Sequence, residues 1–531
     1  MTIPSSRVRR ADPSAKAARE FPLRLPLPWS VPPSVPVPVP TGQLRALLSA
    51  GLISLLAIMP GAQSLFGGAG VLHAQPTPGA GDLVLLGGRL WDGTSDDARP
   101  NPGILIRNGT ILRVGALEPL GSGAEAVILD DEHFIMPGLF DLHAHYAIDL
   151  FGEGRVDEYT VNPVLFLANG VTSTFPAGEV DADEARKGRE RIAAGEIPGP
   201  RIFASGPYWG TARPGWRHEV MTADSIRKEA AYWALRGVRG FKAKGIRPGQ
   251  LRALVDVAHE HGLTVTGHLD SGYGDSVNPR DAILMGVDRI EHFLGGDALP
   301  ASRSAYASLE ALDLGDPATA AQVEEQARLF VEQGAYFDAT LTAYGYFADR
   351  EPAVYEDWAD EMGFLTPHAR EVVEAGLPRE SSEQFERIYY VKRRTVKAFY
   401  DAGAGNQLTL GTDHPSWGEF FSGFGSHREL HAMVLAGIPA PAALRAGTIN
   451  AARALGVDER LGSIEPGKYA DLLVVRGDPL SDITDTRRAH VVVRAGRVYD
   501  PEELLSSVRG ALGPEGPGQD DWWKGNLRLG R

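Results

Sequence analysis

Between positions 139 and 411, short apolar runs alternate with helical segments, and few folds accept that pattern. The runs lie at 139–142, 171–175, 201–204, 240–243, 263–267, 289–291, 335–340 and 407–411. Strands that alternate with helices build a parallel sheet. Eight such units predict an α/β chain folded as a (β/α)8 TIM barrel, with its active site at the C-terminal strand ends. One connecting helix can be read directly. Leu251, Leu254, Val255 and Ala258 follow helical spacing, Pro248 opens the segment and Gly262 stops it.

Shorter strand signals flank this core on both sides, at 83–86, 103–107, 111–114 and 127–129, and again at 470–475, 490–493 and 496–499. They predict a small β-sandwich domain built from both chain ends, residues 75–135 and 461–531, around a barrel at 136–460. The stretch 341–405 is too long for a plain connection. With Tyr344, Tyr346, Tyr389 and Tyr390 it reads either as a lid or substrate wall over the barrel mouth, or as a helix packed outside. The tail from Pro514, with Trp522 and Trp523, has no pattern that assigns it.

Composition narrows the function. A net charge of −15 with no clustered basic face argues against nucleic acid as a partner. The absence of cysteine removes disulfides, thiolate metal sites and thiol nucleophiles together. Ahead of the core, Arg7, Arg9, Arg10, Lys16, Arg19 and Arg24 precede an apolar run at 46–59 and the small-residue site Leu72-His73-Ala74. That order is the one found in secretory signals, so residues 1–74 are expected to direct export to the periplasm or medium. Membrane attachment is expected only if this segment stays uncleaved. A homo-oligomer is compatible with the sequence.

Six residues sit where the expected strands end: His143, His145, Lys242, His268, His292 and Asp413. Residues two apart on a strand face the same way, so His143 and His145 can reach one ion. His268 and His292 end successive strands. Asp413 can touch a metal with one oxygen and accept a proton with the other. Glu291, next to His292, is expected by alternation to point away into the barrel wall. His414 is expected in the pocket but not as a ligand. Burial would favour the neutral amine of Lys242, which can add carbon dioxide to give an anionic carbamate. Lys244 faces the same side and competes for that role. An imidazole and carboxylate set without thiolate suits two divalent ions, Zn2+ first among them.

The sequence resembles the amidohydrolase superfamily, and within it the binuclear peptidase and imidazolonepropionase-like group. The stretches that carry the resemblance are 136–145, Phe241-Lys242, Gly267-His268, Glu291-His292, Gly411-Thr412-Asp413 and the tail at 461–472. The lead Gly237-Val238-Arg239-Gly240-Phe241 aligns Lys242, not Lys244, with the carbamate position of such relatives. The resemblance implies that His143, His145 and Asp413 hold one metal, that His268 and His292 hold the other, and that carbamylated Lys242 bridges them. Where many relatives have Ser-Gly after the aspartate, this chain has His414-Pro415.

The expected activity is hydrolysis of a C–N amide bond, in a dipeptide or N-acyl amino acid, by metal-activated hydroxide with Asp413 as general base and then acid. Tyr208, Tyr344, Arg213, Arg217 and His218 are the candidate substrate contacts. Cyclic amides, imidazolones and lactones are the near alternatives, and phosphotriesters a further one. An exported metal-binding protein without catalysis is the alternative from another class.

Overall fold

In the computed structural model the described residues all fall within one unit, His73–Arg531. The described residues are 81–524, apart from 118–122, 153, 271, 347–350, 356–357, 377–380 and 416–421. The expected export segment 1–74 therefore lies outside the described residues. Among these, no helix is long and apolar enough to cross a membrane.

The core strands are β1 (Leu139–Ala144), β2 (Val171–Pro176), β3 (Arg201–Ile202), β4 (Tyr208–Trp209), β5 (Gly240–Lys244), β6 (Thr264–His268), β7 (Arg289–Glu291), β8 (Tyr336–Asp338) and β9 (Leu408–Thr409). They form two parallel sheets, β3-β2-β1 and β4-β5-β6-β7-β8-β9. The arrangement is TIM-barrel-like, but the ladders do not close into one ring. The expected third strand, 201–204, is where they part. Gly206 takes a left-handed φ of 65°, which turns the chain out of extension, and pairing resumes only at Tyr208. Backbone bonds still cross both gaps: Arg239 N donates to Ala204 O at 2.7 Å, and on the other side Leu142 N donates to Leu410 O at 2.9 Å, Asp413 N to His143 O at 2.8 Å and His145 N to His414 O at 2.9 Å.

The two chain ends meet in a second region. Leu472–Arg476 pairs antiparallel with His133–Pro137, in a six-stranded sheet that also takes in Ala489–Arg494 and Arg89–Leu90. A four-stranded sheet around Asp82–Leu86 packs on it, and Leu85, Ile106, Ile135, Val474 and Val493 share one core between the two. Burial of such aliphatic side chains is the main force holding the sheets face to face.

The long connection after β8 is helical. Its largest piece, α1 (Glu383–Phe399), is capped by Ser382 and opens on Glu383 and Glu386, which suit a helix N-terminus. Ile388, Tyr389, Lys392, Val396 and Phe399 line its buried face, so this helix is part of the main core. The C-terminal tail docks on the same insertion, where Thr366 N donates to Leu512 O at 2.9 Å. A cavity of about 560 Å3 separates that tail, at Trp522 and Trp523, from the loop bearing Gly154 and Val156.

Candidate metal centre

All six strand-end residues converge. The His143 and His145 rings lie 5.4 Å apart, His143 and His292 4.9 Å, and His268 and His292 4.5 Å. Asp413 Oδ1 stands 2.7 Å from His145 Nε2 and 3.4 Å from His143 Nε2, while its Oδ2 is 3.9 Å from His292 Nε2. Lys242 Nζ is 3.5 Å from His143 Nε2. Two groups offer ligand atoms within 4.8 Å of one another: His143, His145 and Asp413, and His143, Glu291 and His292. His268 belongs to neither and stands beside His292.

Glu291 corrects an expectation. It points into the site, where its Oε2 contacts the Lys242 amine and lies 3.6 Å from His143 Nδ1. Alternation fails here for a backbone reason. His292 has φ 64°, so Glu291 and His292 do not project to opposite faces as successive residues of a regular strand would. Thr340 at φ 47° and Asp413 at φ 61° repeat this left-handed turn after the next two strands. Such strain in non-glycine residues costs on the order of 1–3 kcal/mol each and collects where function requires it.

The ring orientations fit metal ligation. His143 Nδ1 is 3.2 Å from Asp338 Oδ2, and His292 Nδ1 is 2.5 Å from Thr340 Oγ1. In both rings the outer nitrogen is occupied, which leaves Nε2 facing the centre. Asp338 also takes Arg289 Nη1 at 3.0 Å, and Arg289 Nη1 donates to Leu142 O at 2.7 Å, tying β7 and β8 to β1. Asp141 accepts from the Thr412 hydroxyl at 2.7 Å and so ties the Asp413 turn to β1. From α1, Lys392 Nζ donates to the His292 carbonyl at 2.6 Å and lies 4.2 Å from the Tyr344 ring centroid.

The electrostatics agree. Burial lowers His145 to about 3 and holds His268 and His292 well below the ordinary histidine range, so their lone pairs are open to a cation. Burial, with the Lys244 charge added, pushes Lys242 well below its usual value. Burial alone would raise Asp413, but His143 and His145 outweigh it and hold the carboxyl well below the usual range. A buried set of neutral imidazoles and carboxylates turned toward one centre suits divalent ions.

The candidate substrate contacts divide. Tyr344 is buried with its ring 5.7 Å from His292, and Tyr208 is buried at the start of β4. Arg213 pairs with Glu229 at 2.7 Å, His218 bonds Gln250 at 2.8 Å and Arg217 is exposed, so none of these three is brought to the six. Sequence reasoning missed Arg155, whose Nη1 donates to the Tyr208 hydroxyl at 3.4 Å, as well as Asp338, Arg289 and Lys392. For Asp338 and Arg289 a signal existed: each is a charged residue inside a short apolar strand.

The family model for the amidohydrolase family matches residues 134–498, which is most of the chain. The chain belongs to this family. As an amidohydrolase it is a hydrolase acting on carbon–nitrogen bonds, in a family whose members generally bind metals. No curated protein is matched in sequence. Solved structures similar to this amidohydrolase include a Xaa-Pro dipeptidase with methionine bound in its active site, at 22% identity and TM-score 0.58, covering 79% of this chain and 100% of that one. A molinate hydrolase matches at 20% and 0.58, over 82% and 98%. The ochratoxinase of A. niger matches at 18% and 0.55, over 81% and 99%. At such identities the likeness establishes a shared fold.

Proposed function

We propose that this amidohydrolase is a binuclear metal-dependent enzyme that cleaves the amide bond of a dipeptide or N-acyl amino acid. The observation that carries the reading is the convergence of four histidines, Lys242 and Asp413 from β1, β5, β6, β7 and the turn after β9, with acids set behind them. His143, His145 and Asp413 would hold one ion, and His268 and His292 the other, with Lys242 between them as its carbamate. Zinc suits this donor set. When bound, the metals supply water activation and carbonyl polarisation.

The chain's own residues supply the rest. Asp413, kept ionised by its two imidazole neighbours, takes the proton of the attacking water and delivers it to the leaving amine. Tyr208 and Tyr344 flank the site and orient the substrate. Lys392 fixes the turn that carries His292. The dipeptidase among the structural neighbours supports a peptide-like substrate. In the same reading the core strands act as a closed barrel, the two terminal sheets form the small sandwich domain, and residues 1–74 export the enzyme.

The test is metal content per chain of the purified mature protein, combined with a substrate panel of dipeptides, N-acyl amino acids, cyclic imides, lactones and a phosphotriester. Two metals per chain with turnover led by the dipeptides or N-acyl amino acids is the expected result. A single metal, or turnover confined to lactones or phosphotriesters, would overturn it.

A further inference from the structure

Two cations near the metal centre have no anion of their own. Lys244 ends β5, two residues beyond Lys242 and on the same strand face, and pairs in register with His268. It is half-buried, and among the described residues its ammonium makes no hydrogen bond or ion pair. Arg155 meets β4 at Tyr208. It is held by the short ribbon in which Val156–Asp157 pairs with Ala147–Ile148. Its guanidinium reaches the Tyr208 hydroxyl at 3.4 Å and lies 5.6 Å from that ring centroid. Among the described residues no carboxylate pairs with it.

Tyr208 pairs in register with Lys242, so Tyr208 and Lys244 project from the same face of the sheet, and the Arg155 guanidinium sits on that tyrosine. Asp413 is already engaged by His143 and His145, so it does not neutralise the two cations. Two partly desolvated like charges on either side of one tyrosine are more favourable when an anion is bound between them. The chain is strongly acidic overall, which makes a local positive spot beside the reaction centre more selective for anions. The Tyr208 hydroxyl accepts from Arg155 and keeps its own proton to donate to an incoming oxygen.

We propose that Lys244 and Arg155, with Tyr208 between β3 and β5, form the subsite that binds the free carboxylate of the substrate. The inference rests on the amide-hydrolysis reading and makes it narrower: the substrate is the acid, and its amide or ester is disfavoured. Lys244 then acts as a specificity determinant and not as a second carbamate lysine. The rim residues Arg213 and His218, engaged with Glu229 and Gln250, are not needed for it.

Two measurements on the metal-loaded enzyme test this. The first compares kcat/KM for dipeptides and N-acetyl amino acids, each paired with its C-terminal amide. The wild type should prefer the acid. Lys244→Met and Arg155→Met should each reduce the acid-over-amide ratio by on the order of tenfold to a hundredfold. Lys244→Arg should retain most of the ratio, and Lys244→Gln, with melting and metal content checked, guards against a folding defect. The second measurement is calorimetric binding of L-methionine against L-methioninamide, which needs no turnover. Weaker binding of the acid in the methionine variants supports the subsite even if no amide is hydrolysed, an outcome that would sink the hydrolysis reading alone. A wild type that treats acid and amide alike, in turnover or in binding, overturns the subsite. So do variants that lower both in proportion.

Discussion

The Lys242 amine rests against the Glu291 carboxylate inside a site from which solvent is excluded. Burial drives the amine toward neutrality, whereas this contact favours its charged form, so the lysine stands between two states. A carbamate on Lys242 would be an anion beside Glu291 and needs cations to be tolerated there. The added mass of one carbon dioxide is therefore expected on the metal-loaded chain and expected to vanish on chelation. Native mass spectrometry of both forms reads this directly. Glu291→Gln should keep the added mass at lower metal occupancy, and an adduct in the wild type that ignores metal would refute the coupling.

Asp413 binds both imidazoles of the first strand end and is the proposed proton carrier. Asn at this position keeps an oxygen for a metal and loses the base. Asp413→Asn should retain metal and melting temperature while turnover falls on the order of a hundredfold or more. Turnover near the wild-type rate would remove Asp413 from the mechanism.

Asp338 acts through His143. Its Oδ2 sits 3.2 Å from His143 Nδ1 and 3.0 Å from Arg289 Nη1. Asp338→Asn should weaken metal binding roughly 10–100-fold, because the ring loses its charged acceptor and must share one neutral amide oxygen with Arg289. Metal titration against a competing chelator measures it, and unchanged affinity would show that Asp338 does not set the ring.

The parts of this site that were legible in the sequence are those that follow a period. His143, His145, Lys242, His268, His292 and Asp413 mark strand ends, and strand ends are where a parallel α/β fold gathers its chemistry. Glu291 was misplaced because the period of two assumes extended backbone, and His292 abandons it at φ 64°. The split of the third strand came from Gly206, whose freedom is invisible until a turn uses it. Arg155 lies in a loop with no repeating pattern, and its contact with Tyr208 joins residues 53 positions apart. Lys392 was hidden differently. On its helix it occupies an ordinary apolar-face position, and only the packing of that helix brings it to the His292 carbonyl.

A last prediction concerns a histidine away from the candidate metal centre. His427 is buried on the helix Phe424–Leu435, with its ring 5.8 Å from Trp358. Burial, assisted by the charges of Arg487 and Arg428, lowers it from 6.5 to about 3. The folded protein therefore keeps this ring neutral where the unfolded chain protonates it. Above pH 6.5 neither state gains a proton and the site contributes no pH dependence. As pH falls below 6.5 the unfolded state alone binds the proton, so stability is lost until the folded value is reached. His427→Phe removes that loss. Its stability relative to wild type should rise by about 1.4 kcal/mol for each pH unit below 6.5, and stay constant above it. Denaturant unfolding of both proteins at pH 5, 6, 7 and 8 tests the slope. Parallel curves throughout would mean that the ring is protonated in the fold as well.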